Sequence, residues 1–415
     1  MVIIYNFKMD DLPNYVYYDL NLKNYSNDIE LKQSVRFYET RQSAIIEDCS
    51  QYDMSIVRFY VSTPTLPVYI AEIQPGSNQT DPNKMLHTIT MEVRRGNVGS
   101  TIYCTGPQHL TWIPQDLSIP APPAPSSNND RFHLQSVSDY YFAYNYDHLC
   151  VIINNTLSSL AASLSSFDPY FTDITPPMII FDQSDNKFVF IARQNLYQTD
   201  RPFPSPQGDK EVYVTVYFNK SLYNLLSTFY FVKQNINSKQ LSLNQTYGYL
   251  NMNYQLQMNS FNNAFILRSS DTNVQPMQRY LEIKQMSSTV GCINPVSTII
   301  FTSDAIPIIP NSMNKPHLLY NNNTIYYSPS QQQDSSLNII SDFSPGADMI
   351  IRSDVSYLPE GEYRFISLSN NKQELRNIDI QIYWLDTFGV LHPLYLLSGG
   401  SCSVKLMFKK KNTTV

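Results

Sequence analysis

Few residues of the 415-residue sequence have the types and spacing that catalysis requires. His87 and His109 are far apart, and no H-E-x-x-H helix accompanies them, so a zinc-enzyme site has no sequence support. The sequence contains neither a G-x-S-x-G nucleophile elbow nor a phosphate-binding glycine loop. We therefore predict no catalytic residues, no cofactor-binding residues, no metal ligands and no cofactor. The protein is predicted not to be an enzyme.

Paired carboxylates are the remaining candidates for chemistry, because a glycosidase needs two carboxyl groups roughly 5–10 Å apart in a cleft. The close pairs are Asp10 with Asp11, Glu360 with Glu362, and Asp379 with Asp386. The first pair is adjacent in a polar segment, and the second flanks Gly361. We interpret all three as solvated loop charges, which leaves a β-rich hydrolase as the weakest alternative.

The composition favours contacts with other proteins. Charged residues make up 15% of the chain, against about 25% in an average soluble protein, while 31 Tyr and 21 Phe are present. Tyr buries a large ring and keeps one polar group, which suits interfaces. A surface rich in Tyr and amides and poor in charge is typical of one that a neighbour covers. AT-rich codons would produce a similar bias without any function.

The net charge of −6 predicts no general attraction to nucleic acid. Two basic clusters remain, Arg94-Arg95 and Lys409-Lys410-Lys411. The second follows a predicted strand, and two readings are open for it. The lysines could make weak, salt-dependent contacts with nucleic acid, or they could keep the last strand from pairing wrongly; we favour the latter.

The five cysteines are sparse and have no C-x-x-C spacing, which favours synthesis in a reducing compartment. The first residues, MVIIYNFKMDD, contain an apolar stretch too short for a signal peptide. No uninterrupted apolar segment reaches the roughly 18 residues of a membrane span. We therefore expect a soluble protein without a membrane span.

Alternating apolar residues predict many short β-strands. The clearest are Met85–Arg95, Lys210–Phe218 and a hairpin over Ile378–Leu396 with Gly389 at its turn, followed by a closing strand over Ser401–Lys411. The pattern predicts a mainly β protein of Greek-key β-sandwich units.

One prominent helix is predicted from Asp147, which we take as its N-cap. Its apolar stripe consists of Leu149, Ile153, Leu157, Leu160 and Leu164. Residues 1–30 have no clear period and are predicted to be an N-terminal arm. The proline-rich segment 117–130 is predicted to be a linker and a domain boundary, with a long surface loop as the alternative.

The C-terminal sequence GEYRFISLSNNKQELRNIDIQIYWLDTFGVLHPLYLLSGGSCSVKLMFKKK (361–411) resembles the end of penton and minor capsid proteins. These belong to eukaryotic DNA viruses and elements of the Polinton and adintovirus type, and adenovirus penton base shares their plan. The segments YNYDHLCVIINNTLSSLAASL (144–164) and PPMIIFDQSDNKFVFIA (176–192) are similar to blocks of the same group. The resemblance covers about a third of the chain and contains no catalytic signature.

The resemblance implies a jelly roll interrupted by an inserted β-rich or α+β domain. Residues 31–116 and 336–415 would then form the sandwich, and residues 131–335 would form the insertion. It further implies a capsid structural protein that forms homo-oligomers, expected to be pentamers, and contacts other capsid proteins. The expected location is the virion, after synthesis in the host cytoplasm or nucleus.

The alternative function is an attachment or fibre-like protein of β-sandwich domains. In that reading Trp112 and Trp384 would be exposed and would stack on sugars.

Overall fold

The structure is a computed structural model that describes fifteen segments of the chain. They are residues 13–27, 32–74, 83–95, 102–122, 138–167, 174–198, 212–233, 254–259, 263–267, 278–309, 317–318, 338–346, 353–358, 363–387 and 389–411.

The described residues are mainly β. The strands are β1 (Tyr15–Lys23), β2 (Gln33–Ser34), β3 (Arg36–Thr40), β4 (Tyr52–Ser62), β5 (Tyr69–Ile70), β6 (Lys84–Arg95), β7 (Ile102–Cys104), β8 (Gln108–Thr111), β9 (Phe142–Ala143), β10 (Met178–Asp182), β11 (Lys187–Arg193), β12 (Val212–Phe218), β13 (Phe231–Lys233), β14 (Tyr254–Leu256), β15 (Asn263–Leu267), β16 (Gln278–Lys284), β17 (Val296–Thr302), β18 (His317–Leu318), β19 (Ile339–Phe343), β20 (Asp354–Tyr357), β21 (Ile366–Ser367), β22 (Asn377–Asp386), β23 (Val390–Pro393), β24 (Tyr395–Leu396) and β25 (Ser401–Lys410). The α-helices are α1 (Tyr146–Phe167), α2 (Gln194–Tyr197), α3 (Lys220–Leu225) and α4 (Val290–Ile293). Two 3₁₀ turns lie at Cys49–Gln51 and Asp139–Tyr141.

The chain forms two compact units. Unit 1 comprises Met1–Pro67 and Pro295–Val415, and unit 2 comprises Val68–Asn294. These limits differ from the predicted boundaries. Strand β6 was predicted in the sandwich but lies in unit 2, and β17 was predicted in the insertion but lies in unit 1.

The proline-rich segment lies inside unit 2, so the chain does not divide there. Residues 117–122 contain no strand or helix, and residues 123–130 lie outside the described part of the chain. The composition predicted the irregular backbone of the described part. It could not predict whether the elements on either side belong to one core.

Unit 1 contains two main sheets. The first has the order β1-β25-β4-β20, and β21 also pairs with β4. The second has the order β18-β23-β22-β17-β19, and β3 also pairs with β22. Both sheets combine strands from the two ends of the sequence.

An aromatic cluster joins the two sheets of unit 1. Phe59 of β4 lies with its ring centroid 5.1 Å from that of Phe301 of β17 and 4.8 Å from that of Phe343 of β19. The ring centroids of Phe343 and Tyr357 of β20 are 4.2 Å apart. Aromatic rings at these separations bury large areas. The sheets are therefore the two layers of one β-sandwich core, as the strand patterns predicted.

The N-terminal arm prediction is wrong for residues 15–23, which form β1. This strand pairs antiparallel with β25 along its whole length, from Tyr15 opposite Lys409 to Lys23 opposite Ser401. Tyr18 and Leu20 point inward and are buried. The partner lies almost at the other end of the sequence, so local periodicity gave little sign of the strand.

Unit 2 combines helix α1 with two sheets of its own. The third sheet has the order β10-β11-β16-β15. The fourth has the order β13-β14-β12-β6-β7, with β8 also paired to β6. Two short strands, β5 and β9, also pair in this unit.

Helix α1 confirms the predicted apolar stripe, because the five leucine and isoleucine residues of the stripe are all buried. The helix begins one residue earlier than predicted, and the capping residue is Asn145, whose side chain accepts a hydrogen bond from the His148 N–H at 2.8 Å. Asp147 lies instead in the first turn. By length and hydropathy α1 could cross a membrane, but half of its apolar 18-residue stretch is buried inside the protein.

Candidate assembly surfaces

The two histidines considered as metal ligands are hydrogen-bonded within unit 2. His87 is buried, with Nε2 3.0 Å from the Tyr69 hydroxyl and Nδ1 2.8 Å from the Ser221 hydroxyl. His109 Nδ1 lies 2.7 Å from the Met85 carbonyl oxygen. Among the described residues, no group of three or more His, Cys, Asp or Glu side chains could hold a metal ion.

Asp379 and Asp386 are not the solvated loop charges that we predicted. Both are buried residues of β22. They are an odd number of positions apart, so they lie on opposite faces of this strand. Asp379 accepts two 3.0 Å hydrogen bonds from Arg36, and Asp386 accepts one from the Val390 N–H. Each therefore has a structural partner, and the two cannot act together in one cleft. The other two carboxylate pairs lie outside the described residues.

Both tryptophans are buried, which removes the predicted sugar platforms. Trp112 is 1% exposed, and its Nε1–H donates to the Tyr140 carbonyl at 2.7 Å. Trp384 is 3% exposed and stacks on His392 with ring centroids 4.0 Å apart. Neither ring has a free face for a ligand.

Three of the cysteines are buried thiols without activating neighbours. Burial raises the pKa of Cys49 to about 11 and that of Cys150 to about 12. Burial also raises the pKa of Cys402. A thiol must ionise to act as a nucleophile. These three cysteines therefore contribute to packing rather than to reactivity.

The lysines at the end of β25 contact neighbouring groups of unit 1. Lys409 Nζ lies 5.1 Å from the centre of the Phe365 ring. Lys411 Nζ donates to the Ser50 carbonyl at 3.1 Å and lies 3.8 Å from Asp53 Oδ1. At the other basic cluster, Arg94 donates to Glu92 at 2.6 Å. Three of the five basic residues in the two clusters therefore contact other groups of the same protein.

The outer face of the first sheet carries exposed tyrosines. Tyr15 and Tyr17 of β1 are 50% and 55% exposed, and Tyr60 of β4 is 37% exposed. Tyr15, Tyr17 and Asn21 lie on the same face of β1, because alternate residues of a strand point the same way. Asn21 is opposite Ser403 of β25, and Ser403 is opposite Tyr60 of β4, so Tyr60 lies on this face as well. We call this surface, with its charged residues described next, the Tyr17 face.

The charges of the Tyr17 face are paired within it. Asp19 lies 3.3 Å from Lys405 Nζ and 3.8 Å from Arg58. Lys405 Nζ also lies 5.5 Å from the centre of the Tyr17 ring. Burying an unpaired charge in an interface is costly. Because the charges of this face are already paired with each other, a partner could cover it without that cost.

The outer face of the second sheet is built in a similar way. Tyr38 of β3 is 70% exposed and lies in register with Asp379. Beside it, Arg36 and Asp379 form a bidentate pair with two 3.0 Å contacts. Arg36 keeps half of its side chain exposed. We call these residues, with Tyr383 of β22, the Tyr38 face.

The edge of the third sheet in unit 2 is closed by a side chain. Asn154 of α1 accepts a 2.7 Å hydrogen bond from the Ile179 N–H and donates a 2.9 Å bond to the Ile179 carbonyl. The amide thus occupies the place of a neighbouring strand beside β10. Proteins protect sheet edges in this way from pairing with other chains. Met178 and Ile180 of the same strand are 47% and 42% exposed.

These features define a β-rich structural protein with tyrosine-bearing surfaces and buried polar pairs. Residues 16–410 match the family model of the Sputnik minor capsid protein V18/19. The chain belongs to this family, and it is therefore a structural protein of a viral capsid. This confirms the predicted capsid role and the prediction that the protein is not an enzyme.

Comparisons with individual proteins agree with the family. The uncharacterized protein V18 of Sputnik virophage is 28% identical over 163 residues, which are 38% of this chain and 92% of V18. A chain of the Sputnik virophage structure determined by cryo-electron microscopy matches with a TM-score of 0.73 and 20% identity, over 97% of this chain and all of that one. The mavirus penton protein matches with a TM-score of 0.53 and 15% identity, over 96% of this chain and all of that one.

The family places the protein in the virion, where it assembles with other capsid proteins. The resemblance of the C-terminal segment to penton and minor capsid proteins is confirmed. Sequence reasoning predicted interface tyrosines in general but named none of them. The alternation in β1 and β4 could have indicated Tyr17 and Tyr60 as one face of two strands, but not that this face is the outer one.

Proposed function

We propose that this chain is a penton protein, in which five copies form a ring at a capsid vertex. The observation that carries the proposal is the strand order of unit 1. Eight strands form two antiparallel sheets in the orders β1-β25-β4-β20 and β3-β22-β17-β19. This is the order expected of a jelly roll, an architecture common in viral capsids. The likeness to the mavirus penton protein supports the same assignment.

In this proposal unit 2 is a domain inserted into the jelly roll between β4 and β17. The connection between these two strands spans residues 63–295, and most of it forms unit 2 with its own core. The proposed domain limits are accordingly 67/68 and 294/295. We further propose that α1 is a core helix rather than a membrane span, because ten of its residues are buried in the protein.

The C-terminal lysines are proposed to fix the end of β25 and not to bind nucleic acid. Their contacts with Phe365, Ser50 and Asp53 support this role. Binding of the chain to duplex DNA at several salt concentrations tests it. A salt slope that falls when Lys409, Lys410 and Lys411 are replaced by Gln would contradict the proposal, because each lost phosphate contact reduces that slope.

The mass of the purified chain in solution tests the penton assignment. Light scattering of the main chromatographic peak should give five times the chain mass of 47.8 kDa, and electron-microscope class averages should show rings with five-fold symmetry. A trimer would contradict the penton role and favour a different position in the capsid. A monomer at every concentration would contradict self-assembly.

A further inference from the structure

We propose that neighbouring copies join head to tail, with the Tyr17 face of one copy against the Tyr38 face of the next. The partner is thus a second copy of this chain. This inference rests on the proposed function, because it names the surfaces that would join copies within the ring.

The first argument is the chemistry of the two faces. Both present exposed tyrosines, which dominate interface energetics because a large ring is buried at small entropic cost. In the Tyr17 face, Asp19 pairs with Lys405 and Arg58, and in the Tyr38 face Asp379 pairs with Arg36. Neither face therefore needs a strongly charged partner. A surface of the same composition, such as a copy of the chain provides, fits both.

The second argument is symmetry. A closed ring of more than two members requires contacts between two different patches of each copy. The jelly roll has two outer faces, and they are different surfaces built from different strands. A sandwich with at least one exposed tyrosine on each outer face meets this requirement. A single face that paired with its own copy would stop at a dimer.

The third argument is size. The four strands of each outer face have 4 to 11 residues. At about 4.8 Å between strands and about 3.3 Å per residue, each face presents roughly 400–550 Å². A stable contact usually buries about 800 Å² on each partner. One such face is therefore too small for a stable isolated dimer. In an isolated pair each copy makes one such contact, whereas in a closed ring each copy makes two, one through each face. Closure of the ring therefore doubles the contact area of every copy.

The surface of unit 2 near Met178 and Ile180 is a weaker candidate for this contact. Asn154 already bonds both backbone groups of Ile179 at that edge. Lys284 forms ion pairs with Asp182 and Asp185 at 2.6 and 2.8 Å on the same sheet. The β10 edge of this sheet is already closed, whereas the outer faces of unit 1 carry exposed tyrosines, three on the first sheet and Tyr38 on the second.

Two charge-introducing variants test the contact. Tyr17→Asp and Tyr38→Asp each place a carboxylate in one of the two faces. Each should raise the dissociation constant for self-association at least about tenfold, as expected for loss of a hot-spot tyrosine. Sedimentation velocity over a range of concentrations measures this effect. The matched control is Tyr230→Asp in unit 2, because Tyr230 is 54% exposed against 55% for Tyr17.

Mixing the two variants gives the sharpest result. Tyr17→Asp keeps an intact Tyr38 face, and Tyr38→Asp keeps an intact Tyr17 face. In a head-to-tail contact the mixture can form one good contact and no ring, so it should give a weak 1:1 dimer that neither variant forms alone. A mixture that forms no more dimer than either variant alone, even at the highest protein concentration measured, would overturn the head-to-tail pairing.

The outcomes separate this inference from the penton proposal. A wild-type pentamer that neither substitution weakens would overturn the assigned faces and leave the penton role standing. A ring of another size that both substitutions dissolve would support the faces and contradict the pentamer. A wild-type monomer would overturn both. Circular dichroism and melting temperature must match the wild type, and Tyr17→Ser with Tyr38→Ser replaces the pair if the Asp variants fail to fold.

Discussion

Unit 1 and unit 2 expose their sheets in different ways. In unit 1 the outer faces of both sheets carry exposed tyrosines beside ion pairs, and among the described residues no strand pairs with the second edge of β1. In unit 2 the exposed edge of β10 is closed by Asn154 of a helix. Within the described part of the chain, the first sheet of unit 1 thus has an open strand edge beside exposed tyrosines, while the third sheet, in unit 2, has its β10 edge closed by the chain itself.

The interiors differ as well. Unit 1 is held by aromatic rings between two sheets whose strands come from opposite ends of the sequence. Unit 2 is continuous in sequence, and α1 contributes to its core with Tyr146 against Phe181 and Phe188. The same chain therefore contains one core whose sheets join the two ends of the sequence and one core built within a single continuous stretch.

The largest expected effect concerns the aromatic core of unit 1. Phe59→Ala should lower the free energy of unfolding by about 3–5 kcal/mol, because a cavity replaces a buried ring among three aromatic neighbours. Urea unfolding measures this loss. The matched control is Tyr60→Ala, one residue further on the same strand but on its outer face, which should cost less than about 1 kcal/mol in the monomer. Equal losses would contradict the assignment of inner and outer faces.

The closed edge of unit 2 gives the next effect. Asn154→Leu keeps the number of side-chain heavy atoms but removes both hydrogen bonds to Ile179, and should cost about 1–3 kcal/mol. It should also increase aggregation, measured by light scattering on mild heating, because β10 then has an open edge. Asn155→Leu, on the exposed side of the same helix, is the control. If both variants aggregate equally, added hydrophobicity rather than the open edge is the cause.

A pH dependence should distinguish the two units. Burial lowers the pKa of His109 and of His148 in unit 2 below the ordinary 6.5, so the unfolded chain binds protons first as the pH falls. Their contribution weakens unit 2 as the pH drops below about 6.5, until the folded pKa is reached. Hydrogen exchange of unit 2 amides at pH 7 and pH 5.5 measures this, and the double variant His109→Gln, His148→Gln should show a smaller change.

The corresponding group in unit 1 acts at lower pH. Burial alone would raise the pKa of Asp48, but hydrogen bonds from Ser50 and Gln51 outweigh it and lower the pKa below the ordinary 3.8. Its contribution is therefore present above about pH 4 and is lost only as the pH falls through the folded value. If unit 1 loosens between pH 6.5 and 5 as much as unit 2, this contrast is wrong.

The smallest effect is expected for the exposed ion pairs of the Tyr17 face. Asp19→Asn removes the partner of Lys405 and Arg58. The side chains of Asp19 and Arg58 are at least half exposed and that of Lys405 is about a third exposed, so the substitution should change the stability of the monomer by less than about 1 kcal/mol. The same variant should weaken self-association, because Lys405 and Arg58 would then be buried unpaired. Denaturant unfolding and sedimentation of the same sample compare the two effects. A loss of monomer stability without a loss of association would indicate that the pair serves only the fold.

The sequence by itself determined the local elements and the chemical character of the protein. Alternation in Lys210–Phe218 and Ile378–Leu396 predicted strands, and the stripe of α1 predicted a buried helix, because such periods are set by neighbouring residues. The lack of catalytic motifs and the C-terminal resemblance predicted a capsid protein. The low charge and the many tyrosines predicted interfaces without locating them.

Only the tertiary structure decided which segments meet. Arg36 and Asp379 are 343 positions apart, and Lys405 and Asp19 are 386 apart, yet both pairs are in contact. No local pattern encodes such pairings, since each depends on how complete strands align across a sheet. The same strand alignment sets the limits of the two units and makes residues 15–23 of the predicted arm a strand. It also leaves Tyr60 exposed while the neighbouring Phe59 is buried. Periodicity gives a strand two faces, and only packing against a second layer selects the one that turns inward.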